Sequence, residues 1–179
     1  MQFMIQAGNP RTNKSSRLVP AGRFGDAMSL IFPIYTEHAL MVWQDVGIPI
    51  SYGNDIGYMM DDILVLIRDL SEECKGMRHI SWMPHFFKSR WTVRWNERNV
   101  WIMSRWENVL LASLSRLNSA PDIVMNKKDF IAEWKMILLN SLKGLDECGY
   151  GGDNLEGYTT VLEVYNSMKE FGMLYRTDR

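Results

Sequence analysis

The chain has 179 residues, of which 46% are hydrophobic and 23% are charged, proportions typical of an ordinary globular domain. At this length about 70% of the unfolded chain's surface can be buried, so the core needs neither a metal nor a disulfide. Twenty basic and 21 acidic residues give a net charge of −1, which excludes a uniformly basic nucleic-acid-binding protein and a strongly acidic mimic alike. We expect a single domain over residues 1–179, in which any electrostatic function depends on how the charges are distributed.

Targeting signals are not evident in the sequence. Residues 1–8 lack the basic and apolar stretches of a secretory signal. The longest apolar run, residues 27–36, is far shorter than the roughly 20 residues of a membrane-spanning helix. Cys74 and Cys148 lie far apart and match no disulfide or zinc pattern, so we expect buried thiols. The sequence therefore predicts a cytoplasmic protein with no membrane partner.

The first third of the chain predicts strands and loops. Residues 2–6 predict a short strand, and the Gly, Pro, Asn and Ser residues between Gly8 and Gly25 predict a loop. We expect residues 1–23 to form a loosely attached extension. Two apolar runs, residues 28–35 and 38–44, predict strands joined by a tight turn, and residues 48–52 predict a third extended segment.

Three later segments have the spacing of amphipathic helices. In the first, apolar residues recur at steps of one and three from Ile56 to Leu70, after a cap at Asn54 or Asp55. The second begins at a capping pattern formed by residues 126 and 129 and ends near residue 149. The third covers about residues 153–171.

A tryptophan-rich hairpin is predicted between the helices. Trp91, Val93 and Trp95 alternate with polar residues, as in a strand with one buried face. We therefore predict a β-hairpin over residues 90–106, followed by a segment, residues 109–117, that fits either a helix or an exposed strand. Because strands and helices are segregated along the chain, we predict an α+β fold in which about three amphipathic helices pack on an antiparallel sheet.

The sequence carries no catalytic or metal-binding signature. His38, His79 and His85 are spaced more widely than zinc ligands usually are. Asp61 and Asp62 are neighbours on a predicted helix and point about 100° apart, so they cannot easily share one proton or ion. A hydrolase or transferase that uses His79 or His85 with one of these acids ranks last. We expect no enzymatic activity, no metal and no cofactor.

The charges are partitioned along the chain. Residues 37–73 carry a net charge of −7, residues 144–170 carry −5, and residues 75–116 carry +6. Either the acidic helices pair with the basic hairpin inside the fold, or the acids gather on an exposed face that attracts a cationic partner. In the second case an exposed tyrosine, Tyr58 or Tyr150, would anchor the contact. The candidate partner-binding acids are Asp61, Asp62, Asp69, Glu72, Glu73, Asp146, Glu147, Asp153 and Glu156.

Arginine and tryptophan alternate through residues 90–106, and this pattern has two interpretations. Exposed tryptophans could stack on single-stranded nucleic acid while arginines meet phosphate, which would make the chain a nucleic-acid-binding module. Alternatively, the tryptophans pack in the core and the arginines lie on the opposite, solvated face. The near-neutral total charge disfavours nucleic acid as the partner.

The order of short motifs resembles a known family. The motifs are residues 24–26, 50–51, 91–106, 130–134, 149–150 and 172–176. Over residues 24–176 this order is similar to that of small cytoplasmic immunity proteins from bacterial polymorphic toxin and contact-dependent growth inhibition systems. The resemblance implies a non-catalytic protein that binds a cognate toxin domain, often a nuclease, and blocks its active site. It transfers no toxin-contacting residues, so the acidic candidates depend on the charge distribution alone.

Overall fold

Seven strands form two antiparallel sheets in the computed structural model, which describes residues 2–13, 21–84, 87–109 and 112–168. The first sheet has the order β1-β2-β3 and the second β4-β5-β6-β7. The strands are β1 (Phe3–Gln6), β2 (Ala39–Trp43), β3 (Val46–Ile50), β4 (Gly76–Trp82), β5 (Phe87–Trp95), β6 (Asn99–Val109) and β7 (Asp122–Asn126). The helices are α1 (Phe24–Ile31), α2 (Gly57–Glu72), α3 (Leu114–Ser119), α4 (Lys127–Glu147) and α5 (Tyr158–Ser167), with a π-helical turn (Tyr52–Ile56) before α2.

The α+β prediction is confirmed, with one difference in the sheets. The strands are antiparallel as expected, but they form two sheets instead of one. The three predicted amphipathic helices correspond to α2, α4 and α5, and α1 and α3 are additional. Within the described residues, every helix is too short or too polar to cross a membrane.

A cluster of aromatic rings joins the two sheets. The ring of Trp43 in β2 lies 4.9 Å from that of Trp91 in β5 and 5.1 Å from that of Trp106 in β6, measured between centroids. Phe3 in β1 lies 5.3 Å from Phe130 in α4. All five side chains are buried. Because rings from both sheets and from α4 share one cluster, the sheets and helices have a common core.

Two glutamine side chains form hydrogen bonds with the outer edge of the second sheet. Gln2 precedes β1 and Gln44 follows β2 in the first sheet. The Val124 N–H of β7 donates to Gln2 Oε1 at 2.9 Å, and Gln44 Nε2 donates to the Asp122 carbonyl at 2.6 Å. β7 is the last strand of its sheet, so these backbone groups have no neighbouring strand to bond. The two sheets are therefore linked by hydrogen bonds at this edge as well as by the aromatic core.

The N-terminal residues are attached to the fold more closely than expected. β1 pairs with β2, the Ile5 N–H donates to Glu133 Oε2 of α4 at 2.6 Å, and Asn140 Nδ2 donates to the Gly8 carbonyl at 2.8 Å. The expectation of a loose extension over residues 1–23 is thus corrected for residues 2–13. Residues 14–20 lie outside the described part of the chain.

The strand predicted for residues 28–35 is wrong, because α1 occupies part of this segment. Its buried residues Phe24, Ala27, Met28 and Ile31 follow the i, i+3, i+4, i+7 spacing of a helix, and this pattern begins inside the predicted loop. β2 instead pairs with β3, through a two-residue turn in which Gln44 has a φ of 54°.

The elements around the tryptophan hairpin agree with the sequence, except for one missed strand. β5 and β6 form the predicted hairpin, and β7 pairs with the other side of β6. α3 begins inside the ambiguous segment and ends two residues beyond it. β4 was not predicted. Its inward side chains are Arg78, Ile80 and Trp82, and the charged Arg78 obscures the alternation of apolar and polar residues.

One glycine follows the end of α4, and another precedes the start of α5. The Asn126 side chain caps α4 by accepting from the Lys128 N–H at 2.9 Å, and Gly149 follows the helix with a φ of 83°. α5 starts at Tyr158, five residues later than expected, because Gly157 has a φ of 85° and ends a loop. The part of the predicted helix beyond residue 168 lies outside the described residues.

The starts of α1 and α2 cross at two glycines. A Cβ on Gly25 would lie 2.7 Å from the Gly57 carbonyl oxygen, which is closer than real Cβ contacts. The neighbouring atom belongs to the backbone, so it cannot rotate away. This crossing fixes where α2 begins.

We predict that Gly25→Ala lowers the free energy of unfolding by about 1–3 kcal/mol, because the added methyl group forces the two helices apart. Urea denaturation followed by circular dichroism measures the change. Gly22→Ala is the matched control, since a Cβ there meets no atom within 4 Å. Equal stability of the two variants would contradict the close approach.

Candidate partner-binding site

Helix α2 lies beside strand β4 and runs in the opposite direction. Near the end of α2, Asp69 accepts from Arg78 Nε at 2.7 Å and forms an ion pair with its guanidinium. Near the start of α2, Asp62 lines a cleft together with Trp82, the last residue of β4. The two elements are thus held together at one end and separated by a cleft at the other.

The cleft has a volume of about 550 Å³ and contains both acidic and apolar side chains. Its lining residues are Asn54, Asp55, Tyr58, Asp62, Ser81, Trp82, Met83 and Pro84. Tyr58 is 72% exposed and Met83 is 59% exposed, so both offer apolar surface to a binding partner. A cleft with two carboxylates and exposed apolar side chains can bind a cationic group that carries an apolar stem.

Asp55 lies in the buried part of the site and is fixed by Ser51. Asp55 Oδ2 accepts from the Ser51 N–H and from Ser51 Oγ, both at 2.8 Å, and Ser51 Oγ accepts from the Asp55 N–H at 3.1 Å. The other oxygen, Asp55 Oδ1, is buried and has no hydrogen-bond partner among the described residues. Burial raises the pKa of Asp55, while the Ser51 bonds and the nearby His38 partly offset the rise.

Asp62 faces the cleft on one side and solvent on the other. Partial burial raises its pKa, and the neighbouring Asp61 adds to the rise. Arg78 and the indole of Trp82 act in the opposite direction. Trp82 Nε1 is buried and forms no hydrogen bond of good geometry with the described residues, although it is near enough to Asp62 to lower the pKa of that carboxyl. Neither carboxylate of the cleft has a cation bonded to it in the described structure.

The five predicted acids of α2 and its C-terminal end lie in different environments. Asp61 and Asp62 are exposed near the start of the helix, and Glu72 and Glu73 are exposed about 15 Å further along its axis. Asp69 is half-buried and paired with Arg78, so its charge is already matched within the fold. Only Asp62 of these five lines the cleft.

The other four predicted acids, which belong to the acidic segment of residues 144–170, lie around the connection from α4 to α5. Asp146 accepts from the Tyr158 hydroxyl, and Glu147 accepts from Thr12 Oγ1 at 3.1 Å. Burial, together with the Asp146 bond, raises the pKa of Tyr158 to about 12. Each acid thus has a hydroxyl donor within the fold, although a neutral hydroxyl does not balance its charge.

Asp153 and Glu156 are exposed in the loop between α4 and α5. The loop ends at Gly157, where an added Cβ would lie 3.7 Å from Phe24 at the start of α1. The structure therefore brings this loop toward the start of α1, and α1 in turn crosses the start of α2 at Gly25. The nine predicted acids do not line one common cleft. The sequence did not predict Asp55, Trp82 and Met83 as parts of a site, because they meet only when α2 packs beside β4.

The basic hairpin has its tryptophans mostly inside. Trp91, Trp95 and Trp106 are buried, which confirms the interpretation that they pack in the core. On the opposite face, Glu107 forms ion pairs with Lys88 and Arg90, both at 3.1 Å. The remaining side chains on this face include the half-buried Trp101, which lies across from Arg94 in the strand register, and the exposed Arg105.

His79 does not line the cleft. His79 is on the outer face of β4, where its Nδ1 lies 3.1 Å from Thr92 Oγ1, whereas Trp82 is on the inner face. His79 therefore does not share the cleft with Asp62, and His85 lies outside the described residues. Among the residues that the structure describes, no group of three or more His, Cys, Asp and Glu side chains could hold a metal ion. Cys74 is exposed, contrary to the expected burial of both thiols.

No family model matches the chain, and neither a curated protein nor a solved structure matches it significantly. The candidate site therefore depends on the geometry of the described residues. The resemblance to immunity proteins stays a prediction.

We predict that Asp62→Asn raises the free energy of unfolding by a few tenths of a kcal/mol near pH 7, a small effect because the side chain is partly solvated. The raised pKa means that the unfolded chain releases this proton at lower pH than the folded chain does, so ionisation opposes folding once the pH exceeds the ordinary value. The gain should therefore shrink as the pH falls through the ordinary value of 3.8 and vanish well below it, where both states hold the proton.

Urea denaturation at several pH values measures this difference. Asp153→Asn is the matched control, since the same change is made at an exposed acid that does not line the cleft. A variant that is less stable than the parent protein near pH 7 would contradict the prediction.

Proposed function

We propose that this protein is a non-catalytic immunity protein, which binds a basic toxin domain and neutralises it through the acidic surface of α2 and the adjoining cleft. The observation that carries the proposal is the cleft between α2 and β4. It combines two carboxylates that have no bonded cation among the described residues with exposed Tyr58 and Met83. Tyrosine is among the residues that contribute most to binding energy in protein interfaces.

The exposed acids of α2 support the choice of a basic partner. Asp61, Glu72 and Glu73 are exposed and form no ion pair within the described residues. Such a surface raises the association rate of a positively charged domain and disfavours acidic competitors. Asp69 contributes less, because Arg78 already balances its charge.

The proposed mode of neutralisation is steric and electrostatic. A nuclease must present cationic side chains to the phosphates of its substrate. An acidic helix about 24 Å long can cover such a surface and compete with the nucleic acid for it. Inhibition of this kind requires no reaction on the part of the inhibitor.

We expect co-expression of the chain to protect bacteria from the toxin encoded by the adjacent upstream gene and to give a stable complex with it.

Asp61→Lys/Asp62→Lys should slow association about tenfold or more at low salt, because reversed charges repel a basic partner. The loss should shrink at high salt, where charges are screened. Stopped-flow or surface plasmon resonance measures the rates.

The matched control for this variant is Asp45→Lys/Asp122→Lys, which makes the same charge change at two exposed acids, one in the β2–β3 turn and one at the start of β7. It should leave association nearly unchanged. If protection and complex formation are both absent, the proposed function is wrong. If both double variants slow association equally, the partner responds to net charge and not to α2.

The alternative function, nucleic-acid binding by the hairpin over residues 90–106, is supported only by Trp101 beside Arg94. Because Glu107 is ion-paired with Lys88 and Arg90 and lowers the positive charge of this face, we expect no salt-dependent binding of a labelled single-stranded oligonucleotide at micromolar protein. Fluorescence anisotropy measures it. Binding that weakens steeply with salt and is lost in Trp101→Ala would favour the alternative.

A further inference from the structure

Among the described residues, Arg78 supplies a positive charge where the end of α2 meets β4. None of these residues places a basic side chain where the start of α2 faces the end of β4. Asp69 and Asp62 are seven residues apart, so they lie on the same side of α2. Asp69 binds the guanidinium of Arg78, which comes from the facing strand. Asp62, two turns earlier, faces the cleft, where no basic side chain is among the lining residues that the structure describes.

The buried Asp55 adds a second acceptor that lacks a donor. Its side chain is only 5% exposed, and Oδ1 has no partner within the described residues although Oδ2 has two. Buried polar atoms in proteins are nearly always hydrogen-bonded, so an unpartnered carboxylate oxygen on a residue that lines a cleft indicates a missing donor. Ser51 holds this carboxylate in place, and the acceptor is therefore preorganised.

We propose that the cleft between α2 and β4 receives one arginine side chain of the protein partner, with its guanidinium between Asp55 and Asp62. This inference rests on the proposed function, since it names the group of the basic partner that the acidic surface recognises. It also requires a guanidinium group in particular, whereas attraction by overall charge would accept any cation.

A guanidinium fits this cleft better than other cations do. It has five donors and no acceptor, and its planar fork can bond two carboxylates at once. Its flat face packs on aromatic rings, here the exposed ring of Tyr58, and its methylene groups can lie against Met83. The volume of about 550 Å³ is within the range of sites that enclose a small ligand. The Arg78 and Asp69 pair shows that this helix already binds the same group two turns away.

The test is an NMR titration of the whole protein with Nα-acetyl-arginine methylamide. The indole N–H signal of Trp82, assigned with Trp82→Phe, is the reporter because Trp82 lines the cleft. We expect saturable shifts at millimolar ligand, and at least tenfold weaker binding of the uncharged citrulline analogue. Asp62→Asn should weaken arginine binding at least fivefold.

Asp61→Asn is the matched control, because it removes the same charge from the next residue of α2 without changing the lining of the cleft. It should weaken binding less than twofold. Asp55→Asn tests the buried acceptor, and the Asp62→Asn result decides the matter if Asp55→Asn fails to fold. Equal binding of the citrulline analogue, equal binding of the lysine analogue, or no shift at about 100 mM ligand would each overturn the inference.

The outcomes for this inference and for the proposed function are separable. Arginine binding without protection against a toxin would leave the arginine site standing and refute the immunity function. Protection that is unchanged by Asp62→Asn, in a protein that does not bind the arginine probe, would refute the arginine site alone.

Discussion

The contact between Trp43 and two tryptophans of the other sheet, Trp91 and Trp106, is the interaction on which the rest of the fold depends. A protein with separate three- and four-stranded sheets could move one sheet against the other, but large interlocked rings allow few alternative packings. With β5 and β6 held in this way, β4 is placed at the far edge of its sheet. The inner face of β4 then meets α2, and the acidic cleft lies where these two elements diverge.

The sequence predicted those elements in which the alternation of apolar and polar residues repeats several times along the element. β5, α2 and α4 belong to this group, because their apolar residues repeat over many positions. The errors have local causes. α1 is only two turns long, so its apolar run resembled a strand. The hairpin from β2 to β3 turns at Gln44 with a positive φ, although glycine, asparagine or aspartate usually marks such a turn. β4 was hidden by Arg78, whose charge is balanced by a residue distant in sequence.

The candidate site was only partly predictable for a similar reason. The density of acids on α2 is a property of one segment, and Asp61, Asp62 and Tyr58 could be selected from it. The pairing of Asp69 with Arg78, and the meeting of Asp55 with Trp82, depend on the antiparallel placement of α2 and β4. A charge sum along the chain cannot show which acids are matched across the fold. The structure thus separates the exposed acids of α2 from Asp69, whose charge is already balanced, and it places Asp62 in the cleft at the start of the helix.

The glutamine bonds at β7 also bear on how easily a foreign strand could be added to the edge of a sheet. An outer strand offers unpaired backbone groups to strands of other chains, which is a common route to aggregation. Here Gln2 and Gln44 engage the backbone of β7, and Glu133 engages that of β1. A foreign strand would have to displace these side chains before it could extend either sheet. The molecule is therefore protected against strand addition at these two borders by ordinary amide and carboxylate groups, without a proline or a bulge in either strand.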